Sequence, residues 1–335
     1  MADELARWAT ERAPDLLARA EADAVTILRD ALVGGVLRQR ERGTTPSGIV
    51  PRPEVVAESE RESGEALWTY CVLTADEPVP ASLVGVVASN PVERVNAGDL
   101  TALVSRVPLS EFGEEPLRRN LNDLDWLERV ARGHEAVLER TLHGATIVPL
   151  RLCTIFEDEQ GVRRMLDEQR LAFTAALEVL RGHQEWGVKL LADREALEAA
   201  ARARSPEADA LADELDTHSA GGAYMLRRRL ERQVREAADE LAVGVADDVH
   251  ARLQAAASDA VLNPPQNRDL SGHEGEMLLN GAYLVETPKL GRLRKLVEEL
   301  QDRHRGLGVR LELTGPWPPY NFMPRDAAAA GTALA

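Results

Sequence analysis

The segment Leu311-Glu-Leu-Thr-Gly-Pro-Trp-Pro-Pro-Tyr-Asn-Phe322 constrains the chain most, because an alternating, strand-like run leads straight into Pro316, Pro318 and Pro319. Each proline fixes φ near −65° and removes a backbone donor. Ladder pairing is therefore expected to stop at Pro316, which ends the strand Val309–Leu313, and Pro318-Pro319 should hold the chain extended. Trp317, Tyr320 and Phe322 are carried on this stiff support. They read either as a lid whose aromatic rings cover the edge of the core or as a partner-docking surface.

With 335 residues the chain is long enough for two domains with a core in each. The formal net charge of −16 argues against a nucleic-acid or anionic-membrane surface, since both partners reward a positive field. Cys71 and Cys153 lie in apolar, strand-like runs without close spacing. They read as buried thiols in a reducing compartment rather than as a disulfide or metal pair. The opening MADELARWATERAP is acidic and lacks the apolar core of a secretory signal, and no run of about 18 apolar residues could span a bilayer. A cytoplasmic protein is expected.

The pattern predicts an α+β fold: two α+β domains behind an N-terminal helical extension. Residues 1–64 form the extension and its linker. Val25, Leu28, Leu32 and Val36 recur at helical spacing, and the Gly-, Pro- and Ser-rich stretch from about 43 to 65 reads as the linker. The helix either packs on its own body or docks a partner. Residues 65–158 form the first domain. Short strands are expected at Leu67–Leu73, Leu83–Val87, Val92–Val95 and Leu100–Ser105, one or two helices over Leu117–Leu142 with a stripe of Leu121, Leu124, Leu127 and Val130, and a strand over Ile147–Phe156. Residues 159–335 form the second domain, with helix Glu159–Arg181, strand Glu185–Leu191, and a helical region from Arg194 to about Leu262 interrupted at Ser205-Pro206 and Gly221-Gly222. Strand Met277–Val285, helix Lys289–Arg305 and strand Val309–Leu313 follow. That order is a modified ferredoxin-like fold with extra helices, in which one strand has no place yet.

No catalytic, cofactor or metal site emerges from the motifs. His134-Glu135 lacks a second His one turn on, Leu138 standing there instead, and the other histidines are scattered. Ser105 has no nucleophile-elbow glycines, and the apolar neighbours of Cys153 should raise its thiol pKa. Gly34-Gly35 and Gly221-Gly222 lack the remainder of a phosphate loop. In Glu185-Trp-Gly-Val-Lys189, strand alternation puts Glu185 and Lys189 on one face as a surface ion pair, contributing about 1 kcal/mol at most. Trp186 falls on the other face as a core anchor, and Trp126 is the corresponding anchor of the first domain. Arg227-Arg-Arg-Leu-Glu-Arg-Gln-Val-Arg235 is the one basic concentration. It reads mainly as a solvated helix face, with docking to an acidic partner or nucleic acid as the functional alternatives.

Several separated motifs combine in one order: Asn120-Leu-Asn-Asp-Leu-Asp-Trp-Leu127 with Ala131-Arg-Gly-His-Glu135, Ile147-Val-Pro-Leu-Arg-Leu-Cys-Thr-Ile-Phe156, Glu185-Trp-Gly-Val-Lys189 and the Trp317–Phe322 turn. Together they resemble the gas vesicle protein F/L family (GvpL/GvpF), from about Leu67 to Phe322. The resemblance implies a non-catalytic accessory protein that binds the hydrophobic major shell subunit and keeps it from aggregating during nucleation and assembly. It also implies possible contact with other gas vesicle accessory proteins. The alternatives are a minor structural component kept in the finished vesicle, or an enzyme with a scattered His/Glu site, which a deep polar pocket gathering His134, Glu135 and Cys153 would favour.

Overall fold

The computed structural model describes residues 64–206, 210–211, 220–265 and 275–323. The predicted N-terminal helix lies outside the described residues. Contacts divide the chain into two compact units, with described residues 64–179 in the first and Leu180–Phe322 in the second. This boundary falls later than the 158/159 division drawn from sequence, because the helix that follows residue 158 packs on the strands of the first unit.

The first unit is built on β1 (Glu65–Thr74), whose residues Ala66 to Leu73 are all buried. Burial on both faces explains the near-continuous apolar run. β2 (Val92–Ala97) and β3 (Leu100–Pro108) form a hairpin, and the sheet order is β2-β3-β1-β4 with every pairing antiparallel. The predicted strand Ile147–Phe156 is split into β4 (Val148–Pro149) and β5 (Ile155–Phe156), both paired to β1. Between them the chain leaves the ladder, with Cys153 at φ 65°. Leu150 N–H donates to Tyr70 O, and Thr69 N–H donates to Thr154 O, where β1 carries its own bulge. The expected strand Leu83–Val87 reduces to one bridge, Val84 to Pro91.

Helices α1 (Leu109–Phe112), α2 (Glu114–Asn120) and α3 (Leu124–Leu142) follow β3. Asp123 caps α3 by accepting from the N–H groups of Asp125 and Trp126. The cap fixes the helix phase and overturns part of the predicted stripe. Trp126, Val130, His134, Val137 and Thr141 face inward, whereas Leu121 precedes the helix and Leu124 at its first position is 74% exposed. α4 (Glu159–Glu168) and α5 (Arg170–Leu180) replace the single helix expected over Glu159–Arg181, and α4 lies on β2 and β3.

In the second unit the elements run β6 (His183–Ala192), α6 (Arg194–Arg202), α7 (Ala220–Ala256), β7 (Asp259–Leu262), β8 (Glu276–Glu286), α8 (Leu290–Arg303) and β9 (Val309–Trp317). The sheet order is β7-β8-β6-β9 with all neighbours antiparallel. That is the ferredoxin-like arrangement of two interleaved βαβ units. β7 is the strand missing from the sequence reading, which had absorbed it into a helix; four half-exposed residues at a sheet edge give too short a pattern to separate. Gly221 and Gly222 lie in the first turn of α7, which begins at Ala220. One face of the sheet packs Trp186, Val188, Leu190, Tyr283 and Val285 against Ala238, Ala242, Val245 and Val249 of α7 and Leu293, Val297 and Leu300 of α8.

β9 continues through Pro316 to Trp317, beyond the expected stop at Leu313. The register pairs Glu185 with Trp317 and Gly187 with Thr314, so Gly315 and Pro316 form a bulge opposite Trp186 alone. Pro316 therefore owes the ladder no donor on this edge strand; the Gly315–Pro316 peptide is cis.

Side chains occupy the outer backbone groups of the sheet edges. Gln301 of α8 donates from Nε2 to Val309 O at 3.0 Å and accepts at Oε1 from Leu311 N–H at 2.8 Å, which caps β9. Arg163 and Arg170 donate to Asn96 O and Ala97 O of β2, and Asp259 accepts from Ala260 N–H on β7. Gln301→Ala should cost about 1–2 kcal/mol and open the β9 edge. Chemical denaturation should show the loss, and light scattering on mild heating should show earlier association than in the parent chain.

Candidate functional site

Alternation along β6 sends Trp186 and Val188 into the helix-covered face and Glu185, Gly187 and Lys189 to the opposite one. That opposite face is not solvent. Glu185 is 1% and Lys189 8% exposed, which corrects the expected surface placement of both. Glu185 anchors the Trp317–Phe322 turn. Its carboxylate accepts from Asn321 Nδ2 at 2.7 Å and from Asn321 N–H at 3.1 Å. Two donors offset part of the cost of burying the carboxylate, and their loss would leave that cost exposed.

Gly187 marks where the turn closes over the strand. A Cβ there would stand 2.9 Å from Thr314 Oγ1 and 3.4 Å from Trp317 Nε1. Those two atoms are hydrogen-bonded to each other, Trp317 Nε1 donating to Thr314 Oγ1 at 3.1 Å. Gly315 has φ 129°, and a Cβ on it would approach Glu185 O and the Trp186 ring. Pro318 and Pro319 are buried, while Trp317, Tyr320 and Phe322 are half-buried. The motifs Glu185–Lys189 and Gly315–Phe322, 136 residues apart at the Glu185–Asn321 contact, are therefore one structural unit. Trp186, 6% exposed, packs beneath the Arg294 guanidinium, which lies 5.2 Å from its ring.

The motifs of the first unit converge on His134, which is 1% exposed. Trp68 Nε1–H donates to its Nδ1 at 3.0 Å, so the neutral ring carries its proton on Nε2, directed at Leu150 O at 3.2 Å. The imidazole stacks on Tyr70, whose hydroxyl bonds Ser105 Oγ at 2.7 Å and accepts from Val86 N–H at 2.8 Å. Phe112 bridges Trp68 to Trp126, and Trp126, 6% exposed, donates to the Glu111 carboxylate, which also holds Arg129. Asn120 donates to Glu111 O.

This arrangement holds elements together. Burial lowers the His134 pKa to about 4 and raises the Cys153 thiol to about 12, so neither group is set up to react near neutrality. His134, Glu135 and Cys153 do not line the open cleft of about 300 Å³ in this unit, which is bordered by Glu65, Leu67, Arg106 and Glu157–Gln160. Elsewhere His250 pairs with Tyr283 and His304 with Asp248. Among the described residues no group of three or more His, Cys, Asp or Glu could hold a metal ion, and no helix is long and apolar enough to cross a membrane.

The profile of the family described as gas vesicle synthesis protein GvpL/GvpF matches residues 66–324. The chain belongs to the GvpL/GvpF family. It is 38% identical to gas vesicle protein L of Streptomyces sp. (strain CB03234) over 74% of this chain and 88% of that one. It is 27% identical to gas vesicle protein L1 of Halobacterium salinarum over 82% and 97%. The crystal structure of GvpF from Anabaena sp. PCC7120 shares the fold, with a TM-score of 0.54 at 19% identity, covering 78% of this chain and 97% of that chain. Membership gives this GvpL/GvpF protein an accessory role in gas vesicles.

Trp126 and Trp186 are buried, and the groups that fasten Trp126 and the aromatic turn, Glu111, Glu185 and Asn321, were not singled out for that role from the sequence. For Glu185 alone the sequence carries a signal, a charged residue beside a core tryptophan on a strand. Asn321→Ala should lower stability by about 1–3 kcal/mol, because the buried Glu185 loses a donor, and Gly187→Ala should displace the turn. Thermal melting and Trp317 fluorescence report the two effects. His134 adds a pH dependence. Its folded pKa lies below the unfolded 6.5, so the unfolded chain takes up the proton first. Its contribution is complete above about pH 6.5 and falls by about 3 kcal/mol as pH drops to about 4. Denaturation across this window should be steeper in pH for the parent chain than for His134→Gln.

Proposed function

We propose that this chain is a non-catalytic, cytoplasmic accessory protein that binds the hydrophobic major shell subunit of the gas vesicle and keeps it from aggregating during nucleation and assembly. The observation that carries this reading is the fixed aromatic turn. Trp317, Tyr320 and Phe322 each keep part of their surface open while Glu185 and two buried prolines hold their support in place. A pre-ordered apolar surface binds without ordering cost, and aromatic side chains carry most of the energy at such contacts. The strongly acidic body supplies the second requirement, a complex that stays dispersed while an apolar client is held. The capped edges of β2 and β9 favour capture through side chains over strand addition.

Co-expression with the shell subunit tests the reading. The full chain should raise the amount of soluble subunit and co-elute with it, and Trp317→Ala with Phe322→Ala should reduce the co-eluting subunit by about tenfold or more while circular dichroism stays unchanged. Equal insolubility of the subunit with and without the chain would overturn it.

A further inference from the structure

The N-terminal half of α7 does not serve the core of its unit. Contacts with the sheet core begin at Ala237 and Ala238, whereas Leu226, Leu230 and Val234 pack into a separate small cluster with Leu211. On the other side of this arm Tyr224, Arg228, Arg232 and Arg235 recur one turn apart, flanked by Met225 and Arg229. All six are exposed, with Tyr224 at 57% and Met225 at 68%.

The arm concentrates positive charge in a chain of net charge −16. Arg232 reaches Glu236 at 3.9 Å and Arg235 reaches Glu231 at 3.6 Å, both long and solvent-exposed contacts. Arg228 lies over the Tyr224 ring at 5.8 Å, and Arg227 and Arg229 have no acidic partner among the described residues. Like charges at this spacing oppose the helix that carries them unless an anion relieves them. Two large apolar side chains beside the arginines add a requirement that a free counterion does not meet.

We propose that the arm Tyr224–Arg235 is a docking surface for an acidic, amphipathic helical segment of a partner protein, with its carboxylates on Arg228, Arg232 and Arg235 and its apolar residues on Tyr224 and Met225. Charge complementarity selects this occupant. A nucleic acid would offer the anions, but as a long polyanion it meets the repulsion of the whole acidic chain, and no row of aromatic side chains is present to stack its bases. The surface is distinct from the aromatic turn, so this proposal and the shell-subunit reading stand or fall separately.

The test is fluorescence anisotropy of the full chain with a labelled synthetic helix bearing leucine on one face and glutamate on the other. A copy with lysine in place of glutamate and a single-stranded oligothymidylate serve as competing probes. The acidic peptide should bind at least about tenfold tighter than the lysine peptide and weaken about tenfold between roughly 0.05 M and 0.3 M salt. Arg228→Glu with Arg232→Glu should remove that preference, and Met225→Ala should weaken binding without changing its salt dependence. Should the double variant fail to melt like the parent chain, Arg232→Glu alone replaces it. Equal binding of both peptides, unchanged binding by the charge-reversed variant, or tighter binding of the oligonucleotide would overturn the proposal.

Discussion

A buried carboxylate facing away from the helices organises the second unit. A ferredoxin-like sheet needs its helices on one face only; here the other face is closed at Glu185 by the chain's own C-terminal turn. Glu185 is costly to bury without partners. Asn321 supplies two of them at once, through backbone and side chain, and so the position of the turn is decided by polar geometry rather than by apolar contact alone. Gly187 admits the turn, Gly315 and Pro316 bulge to make it, and the buried Pro318 and Pro319 give it shape.

The first unit uses the same economy with a different group. His134 is neutral, donates once and accepts once, and thereby ties β1 to the segment between β4 and β5 from its place on α3. The polar members of Asn120–Leu127 do likewise: Asp123 caps α3, while Asn120 and Trp126 both fasten to Glu111. A histidine beside a glutamate suggests catalysis in sequence. In the structure its burial and complete hydrogen bonding make it a fastener.

Much of this was legible because it repeats with a short period. The short apolar and aromatic runs of β1, β6 and β8 and the 3.6-residue spacing in α7 and α8 mark the elements, and the succession of β6, the helices, β8, α8 and β9 gives the ferredoxin-like order. What was hidden depends on contacts between residues far apart in sequence. Alternation put Glu185 on a face of its own, but nothing near it said that Asn321 would cover that face. Pro316 looked like a terminator because the bulge that accommodates it depends on the register with β6. A stripe through Leu121 and Leu124 fits the sequence because the cap at Asp123, which sets the phase, competes with an equally regular run of leucines. β7 was lost because four residues at an edge carry less signal than the long helix before them.

Helix α7 runs for 37 residues, about 55 Å at 1.5 Å per residue, with only its C-terminal half committed to the sheet. The aromatic turn sits on the opposite side of that sheet from the helix. Within this unit the arm and the turn are separate surfaces, so if both proposed contacts are made, a protein lying along the arm would not cover Trp317, Tyr320 or Phe322.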